Sequence, residues 1–166
     1  MITLLSPTRT MNMSPVSGTY PPATTPQFLS EAERIISGVK KLSAKELEGQ
    51  MNLSQKIAEN DFQYFQQFDL PTTIQKQAVL AYSGTIYQKL DASTFKEKDF
   101  LYAQQHLRII STLYGILRPL DAIKAYRLMF SLKVPDLGTK DLYQFWQPII
   151  TKALIDDIVA LSLIHI

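Results

Sequence analysis

The chain contains no cysteine. That absence excludes a disulfide scaffold, a thiol peroxidase, an iron–sulfur cluster and Cys-ligated zinc. Histidine is almost missing too: with only His106 and His165, a histidine-rich iron or zinc cage is excluded. No apolar run approaches the ~20 residues of a membrane span. Met1 to Leu5 is apolar, but Ser6-Pro7 closes it and no positive charge precedes it, so it does not read as a signal peptide. Charge of either sign is nearly balanced, 17 Lys+Arg against 15 Asp+Glu, for a net +2. With 46% hydrophobic residues this is not the composition of a disordered tail. A soluble, intracellular protein is expected, without cofactor, tightly bound metal or membrane contact.

What remains is about one domain's worth of chain, 166 residues, long enough to bury roughly 70% of its unfolded surface. Ile2-Thr3-Leu4-Leu5 reads as a short buried strand. Prolines 7, 15, 21, 22 and 26 then hold the backbone extended. Thr25-Pro26 signals a helix start, with Phe28, Ala32, Ile35, Ile36, Val39 and Leu42 on one face. Ser43 and Glu46 form a capping box, and Ser54 caps a third helix carrying Ile57, Ala58, Phe62, Phe65 and Phe68. Ala78 to Tyr82 is a second apolar run, read as another buried strand. Asp99 opens a helix expected to run through Phe100, Ala103, Leu107, Ile110 and Tyr114, with Gly115 as its C-terminal cap. Pro119 restarts the helical pattern through Tyr126.

The expected fold is therefore mixed α/β (α+β): short buried strands in a predominantly helical remainder, with a helix–hairpin–helix around Gly115. One domain is expected over residues 1–160. Residues 161–166 (Leu-Ser-Leu-Ile-His-Ile) match one reading frame of a sequencing-library adapter and are set aside as a scar, which leaves the sheet incomplete.

Cations are unevenly placed. Residues 105–133 carry Arg108, Arg118, Lys124, Arg127 and Lys133 against Asp121 alone, the footprint of a polyanion site. In the expected helical hairpin, Arg108 lies on the polar face. Arg118 precedes the second helix, whose free N–H groups favour phosphate, and Gly115 allows close approach. Such a motif grips nucleic-acid backbone, so DNA is the expected partner. Exposed arginines on an ordinary hairpin are the competing explanation. A second candidate is an anion loop of Ser6, Arg9 and Thr10 after the first strand, with Ser83 and Gly84 after the second run. Ordinary Ser/Thr-Pro turn chemistry competes there, and no nucleotide-binding fingerprint is present. His106 reads as a packed or surface histidine, Asp156 and Asp157 as a solvated helix face, and Tyr143, Phe145 and Trp146 as core.

These motifs resemble the YaaA family of peroxide stress resistance proteins. Ser6-Pro7-Thr8-Arg9-Thr10-Met11 is similar to the family's Ser-Pro-Ala-Lys-Thr-Leu opening. Residues 78–87 resemble its Ala-Phe-x-Gly-Asp-Val-Tyr element, and the block 104–121 is the longest match, continued at Tyr126-Arg127-Leu128 and Lys140 to Trp146. The resemblance implies a cytoplasmic protein that limits peroxide damage by keeping unincorporated iron low, with a basic cleft and a DNA-binding helix–hairpin–helix. Carried over by position, Arg9 stands for the family lysine, and Arg108, Arg118 and Arg127 line the basic surface. Thr85 and Met129 stand where the family has an aspartate and a glutamate, so acid-dependent chemistry does not carry over. A DNA-binding stress protein without catalysis is the expectation. The alternatives are an enzyme acting on a phosphorylated or nucleotide-like small molecule at the anion loop, and direct iron binding by carboxylates and tyrosines.

Overall fold

The computed structural model describes residues 1–163. Residues 164–166, the second half of the segment set aside as a scar, lie outside the described residues. The architecture is mixed α/β, as the sequence suggests. Strand β1 (Thr3–Leu5) is followed by three helices, α1 (Leu29–Val39), α2 (Ala44–Met51) and α3 (Gln55–Gln66). Then come β2 (Gln75–Gln77), the short helices α4 (Ala78–Ala81) and α5 (Thr85–Leu90), and α6 (Glu97–His106). Strands β3 (Leu107–Ser111), β4 (Gly115–Leu117) and β5 (Ala122–Lys124) precede the terminal helix α7 (Leu142–Leu163).

The strands form two small sheets, one ordered β1-β3-β4 and one pairing β2 with β5. β1 lies parallel to β3, with Leu4 opposite Arg108, and β3 turns back antiparallel into β4. β2 pairs antiparallel with β5. Trp146, Phe65, Phe100, Ile35, Leu47, Ile109, Leu113 and Ile123 are fully buried at the centre.

Several local expectations change. The expected strand over Ala78–Tyr82 is the helical turn α4. An apolar run buried on every side carries no period, and the strand it hid is the polar Gln75–Gln77 immediately before it. The first helix begins at Leu29, not at Pro26, and Phe28 is its N-cap. Ser43 and Glu46 do form the reciprocal capping box. Asp99 sits three residues inside its helix, accepting from the Lys96 N–H. β1 is a strand, but an edge one, with Leu4 half exposed.

The largest correction concerns the helix–hairpin–helix. Residues 107–124 are three short strands, not two helices. Phe100 and Ala103 of the expected stripe are in the helix α6, but Leu107 and Ile110 fall in β3, where both faces are covered and alternation is lost. Gly115 does adopt a left-handed φ of 72°, but as the first residue of β4, opposite Ser111. Its missing side chain makes room for a ring: a Cβ there would lie 2.4 Å from Trp146 Cζ3.

Candidate functional site

The expected cations separate into three environments. Arg108 is buried in the middle strand of the sheet. Its Nε and Nη2 donate to the two oxygens of Asp157 at 2.6 and 2.9 Å, and Nη1 donates to the carbonyls of Gln104, Gln105 and Leu107. It thus closes the C-terminus of α6, where carbonyls lack helical partners and a cation is favoured. Arg118 is exposed and shares Asp157 through Nη2 at 3.2 Å. Asp157 is therefore no solvated residue but a shared counter-ion. The Arg108 hydrogen bonds hold its carboxyl below the ordinary value.

The backbone N–H groups expected at a helix start after Arg118 are occupied. Arg118 N–H donates to Asp121 Oδ2 at 2.8 Å, and Leu120 N–H to Gln104 Oε1 at 2.9 Å. Asp121 also accepts from Thr24 Oγ1, and its burial raises its pKa despite these bonds. Lys124 donates to the Phe68 carbonyl at 2.6 Å, its ammonium 5.1 Å over the Phe68 ring, beside a separate cavity of about 220 Å³. Gly115 is committed to Trp146. None of these groups lines the cleft described next.

Arg9 and Arg127 do come together. A cleft of about 510 Å³ is lined by Arg9, Thr10, Asn60, Asp61, Tyr126 and Arg127 among others. A second cavity of about 350 Å³ shares Arg9, Tyr126 and Arg127 with it and is lined further by Pro7, Leu128, Met129 and Phe130. The two expected anion loops meet at this end of the molecule. Ser83 N–H donates to the Thr10 carbonyl at 2.9 Å, Tyr87 Oη to the Ser6 carbonyl at 2.9 Å, and Met11 bridges Tyr82. Gly84 presses against Thr8, where a Cβ would fall 2.4 Å from Oγ1. Ser6, Ser83 and Gly84 thus hold the loop from behind, while Arg9 and Thr10 face the cleft.

The floor of the cleft is polar but neutral. Tyr126 Oη lies 2.6 Å from Tyr82 Oη and 2.7 Å from Ser111 Oγ, all buried, and burial raises both phenols so that neither ionises near neutrality. On the wall, Arg127 Nη1 donates to both oxygens of Asp61 at 3.1 and 3.2 Å. Burial pushes the Asp61 carboxyl up, and Arg127 only partly offsets it. Arg9 has no carboxylate partner among the described residues. Sequence reasoning missed Asp61, Asn60 and Tyr126 as neighbours of the two arginines, since α3 and the loop after β5 meet only in the folded chain.

No group of three or more His, Asp or Glu side chains able to hold a metal is present among the described residues. No helix among them is long and apolar enough to cross a membrane. His106 Nδ1–H donates to the Met1 carbonyl, 3.1 Å away, and the ring stacks on Tyr102.

The family described as "Peroxide stress protein YaaA" matches residues 1–164. A UPF0246 protein of Parabacteroides distasonis is 39% identical over 159 residues, covering 95% of this chain and 62% of that relative. A UPF0246 protein of Bacteroides thetaiotaomicron is 41% identical over 159 residues, covering 95% and 61% respectively. The chain spans about three fifths of the length of the curated relatives it matches. With the arginine-flanked cleft and its strapped Ser-Pro-Thr-Arg-Thr loop in place, the chain belongs to the YaaA family of peroxide stress proteins.

Proposed function

We propose that this chain serves peroxide resistance in the cytoplasm by binding DNA through its phosphate backbone at the Arg9–Arg127 cleft, without a catalytic step of its own. The observation that carries this reading is that an unpartnered Arg9 and Arg127 together line two adjoining cavities, with Thr10 lining the first. Guanidinium groups suit phosphate because their planar N–H fork matches two oxygens at once. Ferrous iron and peroxide generate hydroxyl radical, and a polyanion both concentrates the iron and suffers the damage. A protein seated on the backbone displaces cations from it, since each phosphate neutralised by Lys or Arg releases bound counter-ions. Protection against unincorporated iron then follows from occupancy. Arg108 and Arg118 support the fold around the cleft and are not contacts in this reading.

Fluorescence anisotropy of the chain with a labelled mixed-sequence duplex, over a salt series, tests it. Binding should weaken with salt, and Arg9→Glu and Arg127→Glu should each abolish it, whereas Arg118→Glu should retain it. Affinity unchanged in both cleft variants overturns the assignment. If DNA does not bind but inorganic phosphate gives a thermal shift that Arg9→Ala removes, the cleft serves a small phosphorylated molecule instead.

A further inference from the structure

Asp61 is out of keeping with a plain phosphate site. Its two oxygens both lie against Arg127 Nη1, and its side chain is only 16% exposed, on the wall of the same cleft. A carboxylate in that position takes one of the donors that Arg127 could offer an incoming anion and adds a like charge beside the others. Fold stability does not account for the arrangement. Pairs taken out of water return little net stabilisation unless every remaining donor is satisfied. The contrast with Arg108 is instructive: there the guanidinium spends Nε, Nη1 and Nη2 on Asp157 and three backbone carbonyls. Arg127, in contrast, bonds through Nη1 alone among the described residues, leaving Nε and Nη2 available.

Resting on the cleft reading above, we infer that Asp61 is a specificity-determining residue, an internal anion that competes for Arg127 and sets a threshold against isolated phosphate. A lone phosphate meets two guanidiniums already reduced by one carboxylate, a net charge of about one. A polyanion brings successive phosphates, so that one engages Arg9 while the next contends for the Nε and Nη2 of Arg127, at an effective concentration that a free ion lacks. The cleft therefore discriminates by repulsion as well as attraction, which is how affinity differences between similar ligands are generally enlarged.

Three variants test this: Asp61→Asn, Asp61→Glu and the double variant Asp61→Asn/Arg127→Gln, each measured against inorganic phosphate by calorimetry and against the labelled duplex by anisotropy. Asparagine keeps an acceptor for Arg127 and removes the charge. Asp61→Asn should tighten inorganic phosphate by about tenfold, within the span of ordinary site-to-site coupling, and duplex DNA by less. Asp61→Glu should keep the parent's weak phosphate binding, and the double variant should lose most of the gain. Phosphate affinity unchanged or weakened in Asp61→Asn, or raised equally in Asp61→Glu, overturns the inference. That result is distinguishable from failure of the cleft reading, in which Arg9→Glu and Arg127→Glu leave DNA binding untouched.

Discussion

Arg108 and Asp157 form a closed two-point pair, Nε to Oδ2 at 2.6 Å and Nη2 to Oδ1 at 2.9 Å, joining the middle strand of the sheet to the terminal helix. Side-chain exposure is 4% for the arginine and 15% for the aspartate. Removing one partner of such a pair leaves a charge stranded away from water. Asp157→Ala should destabilise the chain by about 3–5 kcal/mol, read as a lowered denaturant midpoint. Arg118→Ala, at the exposed end of the same carboxylate, should cost under about 1 kcal/mol. Equal losses in the two variants would count against the burial argument.

Acid should reveal the same pair. The Asp157 carboxyl is held below its ordinary value of 3.8 by the Arg108 hydrogen bonds. A depressed carboxylate contributes stability that is complete above the unfolded value and is lost as pH falls toward the folded one. Denaturant midpoints of the parent should therefore drop as pH falls below about 4, whereas Asp157→Asn should start lower and show a shallower drop. Parallel profiles would remove Asp157 from the acid response.

Gly115 and Trp146 make a third test. Alanine at Gly115 would have to hold a φ of 72° and place its Cβ within 2.4 to 2.9 Å of three atoms of the indole. Overpacking of this kind costs about 1–3 kcal/mol. Because Trp146 is the only tryptophan, its emission should report the displaced ring directly. Its Nε1–H donates to the Thr112 carbonyl at 2.9 Å, so a shift toward longer wavelength should accompany the loss of stability. DNA binding at low temperature should survive the substitution.

Under the cleft, the hydroxyls of Tyr82, Tyr126 and Ser111 satisfy one another in a buried cluster. Tyr126→Phe removes the central hydroxyl and leaves two buried polar groups each short of a partner. A loss of about 1–3 kcal/mol is expected, measured by thermal unfolding. The double variant Tyr82→Phe/Tyr126→Phe should cost less than the sum of the single ones, and strict additivity would contradict the coupling.

The outer edge of β1 makes a fifth. Leu4 stands opposite Arg108 in parallel register and so points to the same side of the sheet, yet remains 49% exposed. Among the described strands, β1 pairs only with β3. An open edge with an exposed leucine is a template for strand pairing between molecules. Light scattering should show concentration-dependent association of the chain that Leu4→Lys reduces. Association unaffected by the charge would place the contact elsewhere.

Local chemistry carried a good share of the molecule. Ser43 and Glu46 close a helix through bonds three residues apart, and the Ala32, Ile35, Ile36 and Val39 stripe needs nothing beyond a 3.6-residue period to be recognised. The absence of cysteine removed whole classes of redox chemistry before any contact was known. The family motifs were likewise readable from order and spacing along the chain.

Pairing across distance was not. Residues 107–117 alternate too little to betray a strand, because β3 is covered on both faces, so its apolar residues mimic the stripe of a helix. Five cations within one segment looked like a single surface. Yet Asp157, 49 residues downstream, draws Arg108 inward, and Asp61, 66 residues upstream, meets Arg127 at the cleft wall. Arg9 reaches the same cleft from the other end of the sequence because Ser83 and Tyr87 tie its loop down. A charge's neighbours along the chain say what it is, but whether it faces a ligand or a carboxylate depends on which distant segment packs against it.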